Sequence, residues 1–414
     1  MHRRLPLDPQ NPVILHSPDV FVVGGGPGGL AAAIAAAQHG LTVEVADGMT
    51  PPIDKACGEG LMPDTIAALT HLGIDPRTLD KIDSHPLRGI RFLATDRSGQ
   101  HLSTQATFPE GEGRGIRRTL LHQLLLDRAT ALGVRFSWQT VVQKIEPGQK
   151  VEPAQGPGLG QGGTRSRFQS RPQVRTSRHT VRPRFIIGAD GHQSRVRAWA
   201  GLDRSVTSAR RIGLRQHFAI TPWIDLVEVY WSDHGQAYVT PVSPTEICIA
   251  FVADHKFSSI QHALSHFPQL QQRLRSARPS NTPRGSITLS RKLHRVTRGD
   301  IALIGDASGS VDAVTGEGLG LCFRQALALG EALRAGNLAQ YQQAHLDLQR
   351  RPHFMARTML LLDSSPRLRN RALNALQRRP QIFQQLLGIH VGQVPIRIFG
   401  STGLLATGAH ILAG

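Results

Sequence analysis

Cysteine is scarce. Cys57, Cys248 and Cys322 are the whole complement in 414 residues, and none shares CxxC spacing. That pattern excludes a disulfide-stapled scaffold and a structural zinc site, and it fits a reducing, cytoplasmic compartment. No cluster with metal-ligand spacing is present, so no metal is expected. Aromatic residues make up only 5% of the chain. No aromatic–basic platform or finger spacing accompanies the charge, so no nucleic-acid partner is expected. No uninterrupted apolar run reaches bilayer-spanning length. The start, Met1-His2-Arg3-Arg4-Leu5-Pro6, leads into no apolar signal segment. Acids are in deficit, 30 against 48 Lys and Arg, for a formal charge of +18. A surface of that sign suits an acidic carrier protein, an anionic substrate or an anionic membrane. Peripheral membrane contact therefore stays open beside a cytoplasmic location.

Glycine, by contrast, is placed where chemistry needs it. Gly24-Gly25-Gly26-Pro27-Gly28-Gly29 follows the apolar run Val20–Val23. Gly24, Gly26 and Gly29 hold the GxGxxG positions of a strand–turn–helix that lets a pyrophosphate approach the backbone and the helix N-terminus. Asp47 lies 23 residues beyond Gly24, at the end of the second strand, placed to accept from ribose hydroxyls. A second block reads Gly188-Ala189-Asp190-Gly191, with Ser194, Val196 and Arg197. A third reads Gly305-Asp306-Ala307, then Thr315-Gly316-Glu317-Gly318. One such block also suits NAD. Three in this order point to an extended FAD. Asp306 addresses the ribityl chain, and Gly316 and Gly318 open a helix whose amides approach the flavin ring. Glu317 reads equally as a first-turn acid favouring the helix dipole. Arg118, at a helix start, is opposed by that dipole unless an anion such as the pyrophosphate lies beside it.

The periodicity reads as an α/β protein: a Rossmann-like FAD-binding domain, an inserted antiparallel-sheet substrate domain and a helical C-terminal region. The FAD-binding parts are expected at 18–84, 111–205 and 291–340. Substrate-domain segments are expected at 85–110 and 206–290, and a helical cap at 341–414. Strands are expected at Arg88–Thr95, Leu102–Phe108, Ile212–Ile220, Leu226–Trp231, Gln236–Thr240 and Glu246–Phe251. Val134–Val142 should return to the cofactor sheet. Helices are expected at 118–132, 259–276, 317–334 and 338–360. Residues 147–184 are rich in Gly, Pro, Gln, Ser and Arg and read as a mobile loop or hairpin. The tail from 364 becomes more apolar after Leu386, which suits capping of a substrate chamber or interfacial contact.

On these blocks the chain resembles the FAD-dependent oxidoreductases that include aromatic-ring hydroxylases and geranylgeranyl reductases, over about residues 18–335. The resemblance implies that Gly24, Gly26, Gly29 and Asp47 hold the ADP half. It implies that Arg118 contacts FAD, that Asp190-Gly191 serves FAD and a transient NAD(P)H, and that Asp306 binds the ribityl chain. Gly305-Asp306-Ala307-Ser308-Gly309 lacks the histidine that hydroxylases often place there. Gly309–Gly318 is closer to the Pro-x-Thr-Gly-x-Gly of reductases, with Ala313 in place of the proline. Lys55-Ala56-Cys57-Gly58-Glu59-Gly60 is similar to the reductases' Cys-Gly region, yet their Tyr-x-Trp-x-Phe-Pro pattern is absent. The halogenase Trp-x-Trp-x-Ile-Pro is also absent.

The resemblance implies an enzyme with FAD and NAD(P)H acting on an apolar or aromatic, polyketide-like or isoprenoid small molecule. Hydroxylation through a flavin C4a-hydroperoxide is placed first. Reduction of a C=C bond, or dehydrogenation, is the alternative, with halogenation behind both. Candidate catalytic residues are Cys57, a thiol near Lys55; Glu59, a proton donor or loop cap; and His217 and Tyr238 on substrate-domain strands, with Tyr230 beside them. Cys248 and Cys322 read as core residues.

Overall fold

The computed structural model describes residues 17–95, 99–146, 148 and 171–395, with the side chains of 207–209 left aside. Val20–Val23 is wholly apolar and wholly buried, as a central parallel strand requires. It pairs in parallel with Val43–Asp47 on one side and Phe185–Gly188 on the other. Arg135–Trp138 and Ile301–Leu303 extend this sheet outward, and Thr297–Arg298 closes one edge antiparallel. Val23, Gly188 and Leu303 stand side by side in register. The three glycine blocks therefore leave adjacent strands at one carboxyl-terminal edge, where open α/β sheets bind ligands.

The helix Pro27–Gln38 buries Gly29, Ala31, Ala32, Ala33, Ala35 and Ala36, so it can lie close to its neighbours. It packs against Gly318–Arg334, where a Cβ on Gly330 would come 2.9 Å from Ala35 Cβ. The second large sheet runs Gly309–Ser310, Arg284–Leu293, Ser205–Ala219, Glu246–Ala253, Gly235–Ser243, Leu226–Ser232, Gly89–Thr95, His101–Thr107. It is antiparallel except where Leu226–Ser232 and Gly89–Thr95 run parallel. A small sheet of Gly60–Leu61, Gly113–Ile116 and Ser84–Leu87 rests on it. Gly115 lies so close that a Cβ would sit 1.6 Å from Pro241 O. The helices Pro366–Arg378 and Pro380–His390 lay Leu376, Phe383 and Leu387 on Met62, Ile90, Val227 and Val229.

The expected class and most element positions hold, and several details refine them. Val134–Val142 is not one strand: Arg135–Trp138 joins the cofactor sheet, while Val142–Glu146 starts a separate three-stranded sheet. Gln173–Thr176 and Thr180–Val181 complete that sheet, so the end of the segment expected as a loop or hairpin is a paired hairpin. Residues 149–170 lie outside the described residues. The helix expected at 259–276 is two short helices, Ile260–Ser265 and Pro268–Arg273, because Pro268 cannot continue the first. Arg284–Leu293 is a long strand that crosses the expected boundary at 290. Its half-exposed, charge-rich sequence hides the alternation.

Candidate active site

The glycine blocks border one end of a cavity of about 400 Å³ that continues between the second sheet and the C-terminal helices. The residues fit FAD on direct observations. Cβ atoms added to Gly26, Gly58, Gly316 or Gly318 would meet nothing within 4 Å, although all four border the cavity. Gly24 and Gly29 serve the turn instead: Gly24 has φ +109°, and a Cβ on Gly29 would lie 1.8 Å from Gly24 O. Arg118 borders the same space, and its Nε is buried with no hydrogen-bond partner. An orphaned guanidinium N–H at the mouth of a glycine turn suits a pyrophosphate. Asp47 Oδ2 accepts from Gly25 N at 2.7 Å and Oδ1 from Met49 N at 2.8 Å, which fixes the carboxylate at the strand end.

Asp306 borders the cavity and pairs with His192 Nε2 at 3.2 Å. Asp190 is used differently from expectation. Its Oδ1 accepts from Ser194 Oγ at 2.5 Å, and its Oδ2 accepts from Arg195 N and Val196 N. Its oxygens thus cap the following turn, while its neighbours Ala189 and Gly191 face the cavity. Buried Arg197 then ties this block to the third, donating to Ala307 O at 3.2 Å and His192 O at 2.9 Å. Sequence reasoning missed His122, which is fully buried and bonds Gly25 O at 2.8 Å. Burial holds its pKa below the usual imidazole value. Its place one turn into the Arg118 helix was the only signal.

Of the catalytic candidates, Glu59 and Cys57 border the cavity and His217 does not. His217 stands behind Glu59 and not on the cavity wall. Its Nδ1 accepts from Asn281 Nδ2 at 2.6 Å and from Arg215 Nη1 at 3.1 Å. The proton is thereby placed on Nε2, which donates to Glu59 Oε2 at 2.5 Å. Glu59 Oε1 lies 3.4 Å from Arg215 Nη1, and Arg215 Nη2 reaches Asp54 Oδ1 at 2.6 Å. Asp54 is partly exposed and also faces Arg284. A continuous polar chain thus runs from the cavity wall to the surface.

Glu59, His217 and Cys248 bring ligand-type atoms within 4.8 Å of one another. The Arg215 guanidinium already supplies a cation to that cluster. Cys248 is a core residue whose thiol burial pushes well above its usual pKa. Cys322 is packed between the first and third glycine blocks and is pushed up to about 12 by burial.

Tyr238 borders the cavity, but its hydroxyl donates to Val314 O at 2.6 Å and also contacts Gln236. Burial raises its pKa far above the usual phenol value, so it braces the turn before Gly316. Tyr230 faces the opposite side of the sheet and donates to buried Glu228 at 2.8 Å. The remaining wall is largely apolar, with Met62, Ile90, Phe92, Val229, Met359 and Phe383 prominent and Lys55, Thr288, Asp312 and His390 among its polar members. Glu317 interrupts it, with Oε1 3.4 Å from Arg351 Nη2 and Oε2 3.9 Å from His390 Nδ1.

Residues 17–348 match the family described as FAD binding domain, and the chain belongs to it. It is an FAD-dependent oxidoreductase. Among curated relatives it is 23% identical over 318 residues to digeranylgeranylglycerophospholipid reductase 1 of Methanothermobacter thermautotrophicus, covering 73% of each chain. A 76-residue stretch is 47% identical to menaquinone reductase of Mycolicibacterium smegmatis, covering 18% of this chain and 19% of that one. Among solved structures, a flavoprotein/dehydrogenase of Cytophaga hutchinsonii superposes with TM-score 0.76 at 16% identity, covering 95% of this chain and 98% of that one. At that identity the likeness concerns the fold.

Proposed function

We propose that the protein reduces a C=C bond of an elongated, largely apolar small molecule, with FAD as cofactor and NAD(P)H as electron donor. The observation that carries this reading is Glu59, a carboxyl on the cavity wall beside the glycine cradle whose charged form Arg118 N, Arg215 and His217 all stabilise. Reduction of a C=C bond takes a hydride at one carbon and a proton at the other. Gly26, Arg118, Asp306, Gly316 and Gly318 would hold FAD at the sheet edge, and the bound cofactor, with NAD(P)H as reductant, would supply the hydride.

Protonated Glu59 would give its proton to the substrate carbon and become the carboxylate that Arg118 N, Arg215 and His217 Nε2 stabilise by donating to it. Asn281 and Arg215 keep the imidazole oriented as that donor. Solvent returns the proton to Glu59 between turnovers. The methionine, isoleucine, valine and phenylalanine wall excludes water and suits a long apolar chain better than a compact polar one. The names of the two relatives given above, both reductases, support the same choice. Hydroxylation, placed first on the sequence, is the second reading, because the same water-excluding wall would serve it.

The test is product analysis. FAD-loaded protein is reduced with NADH or NADPH without oxygen and given a polyunsaturated isoprenoid. Gain of two hydrogens per turnover supports reduction. Turnover only in air, with labelled O₂ entering the product, replaces it with hydroxylation.

A further inference from the structure

Beyond Asp363 the sequence contains no Asp or Glu, while arginine recurs through Arg379. In the helix Pro366–Arg378 the exposed residues Arg367, Arg371 and Arg378 lie four and seven positions apart, on one face. The opposite face buries Ala372, Leu373 and Leu376. The charges in the packed layer are matched: Arg369 pairs with Asp233 at 2.7 Å, and Asp363 with Arg211 at 3.0 Å. On the preceding helix, Leu338–Asp363, Arg357 and Leu361 are exposed, and Leu361 is 60% exposed. Met359, Leu362 and Leu376 of the same two helices border the cavity.

We propose that this basic face, together with exposed Leu361 of the preceding helix, docks the protein on an anionic lipid surface. Arginines spaced along one helix face match a layer of anionic headgroups, and an exposed leucine on the adjoining helix gains from entering the acyl boundary. An acidic protein partner answers the charge but leaves Leu361 without a role. The same helices then separate lipid from the chamber, which gives an apolar substrate a short path. The docking rests on charge and exposure and is independent of the reaction catalysed.

The test uses the full-length, FAD-loaded protein and sedimentation with vesicles of phosphatidylglycerol and phosphatidylcholine, against phosphatidylcholine alone. Binding is expected only to the anionic vesicles and should weaken with salt. The triple variant R367E/R371E/R378E should lower the partition about ten- to a hundredfold. The variant R175E/R178E/R182E changes net charge equally on exposed residues of another sheet and should retain most binding. Leu361→Ser should weaken binding with the salt slope unchanged. Flavin absorbance and thermal unfolding verify that each variant is folded. Equal loss in both triple variants would reduce the effect to overall charge and overturn the docking face. So would an absence of vesicle binding, including the case where the Arg367 face instead retains an acidic protein.

Discussion

Glu59 sits at φ +60°, a left-handed conformation that costs a residue with a side chain roughly 1–3 kcal/mol. Local sequence does not require it. The surrounding bonds do: Arg118 N donates to Oε1 at 3.0 Å, while Arg215 and His217 hold the rest of the carboxylate. Glu59→Gln keeps the shape and removes the transferable proton. Substrate reduction should slow by about 10²–10⁴-fold, while FAD absorbance and its reduction by NAD(P)H stay near normal. Wild-type turnover in this variant would remove Glu59 from proton transfer.

A second residue controls acid stability. Burial lowers the pKa of His345 from 6.5 to about 4, and its Nε2 meets Ser308 Oγ at 2.9 Å. The unfolded chain takes up a proton near pH 6.5 and the folded chain does not. His345 therefore leaves stability intact above about pH 6.5 and erodes it as pH falls toward 4, by on the order of 3 kcal/mol. His345→Gln should flatten the fall of Tm across that window in a pH series of thermal melts.

At the scale of elements, the cofactor edge depends on how closely two helices approach. Gly330 lets Gly318–Arg334 lie against Pro27–Gln38, with Ala35 O only 3.1 Å from where a Cβ would be. Gly330→Val should separate them and destabilise the fold by about 1–3 kcal/mol, measured by urea unfolding. Because Gly318–Arg334 also carries the third glycine block on its N-terminal side, FAD affinity should fall in the same variant.

The elements that were legible from sequence share a cause with this contact. Val20–Val23, Phe185–Gly188 and Ile301–Leu303 are buried on both faces, so each reads as an apolar run ended by glycine. Where burial is partial the pattern fades. Arg284–Leu293 exposes Arg284, Ile287 and Lys292, and Gln173–Thr176 exposes Arg175, so the outward positions of these strands mix apolar and basic residues. The same limit applies at the site. Cofactor residues announce themselves through glycine, a backbone requirement fixed locally. The side-chain partners of Glu59 come from positions 215 and 217, and Asn281 orients His217 behind them, an arrangement that only the long-range sheet pairing brings together. His217 was singled out for the right strand, but which face it occupies depends on register, and one residue of slip reverses that. Asp190 shows the converse: a motif residue whose carboxylate the local turn absorbs.

For the whole molecule, the three glycine blocks come from residues almost 300 positions apart in the chain, so FAD should act as a fold-wide clamp. A ligand at a hundred times its Kd adds about 2.7 kcal/mol to the stability of the state that binds it. Two neighbouring glycines separate this clamp from the fold itself. Gly29 has Gly24 O 1.8 Å from its missing Cβ, so Gly29→Ala should damage the strand–helix turn with or without FAD. Gly26 has φ −70° and nothing within 4 Å of its missing Cβ. Gly26→Ala should leave the FAD-free protein as stable as wild type, or more stable by about 0.4–1 kcal/mol through the less flexible unfolded chain. Its added methyl would occupy the cradle, so most of the stabilisation by added FAD should vanish. Thermal unfolding of both variants with and without FAD reads all four quantities. If Gly26→Ala still gained the full increment, the pyrophosphate would not lie over that glycine, and the placement of the cofactor along the sheet edge would have to shift.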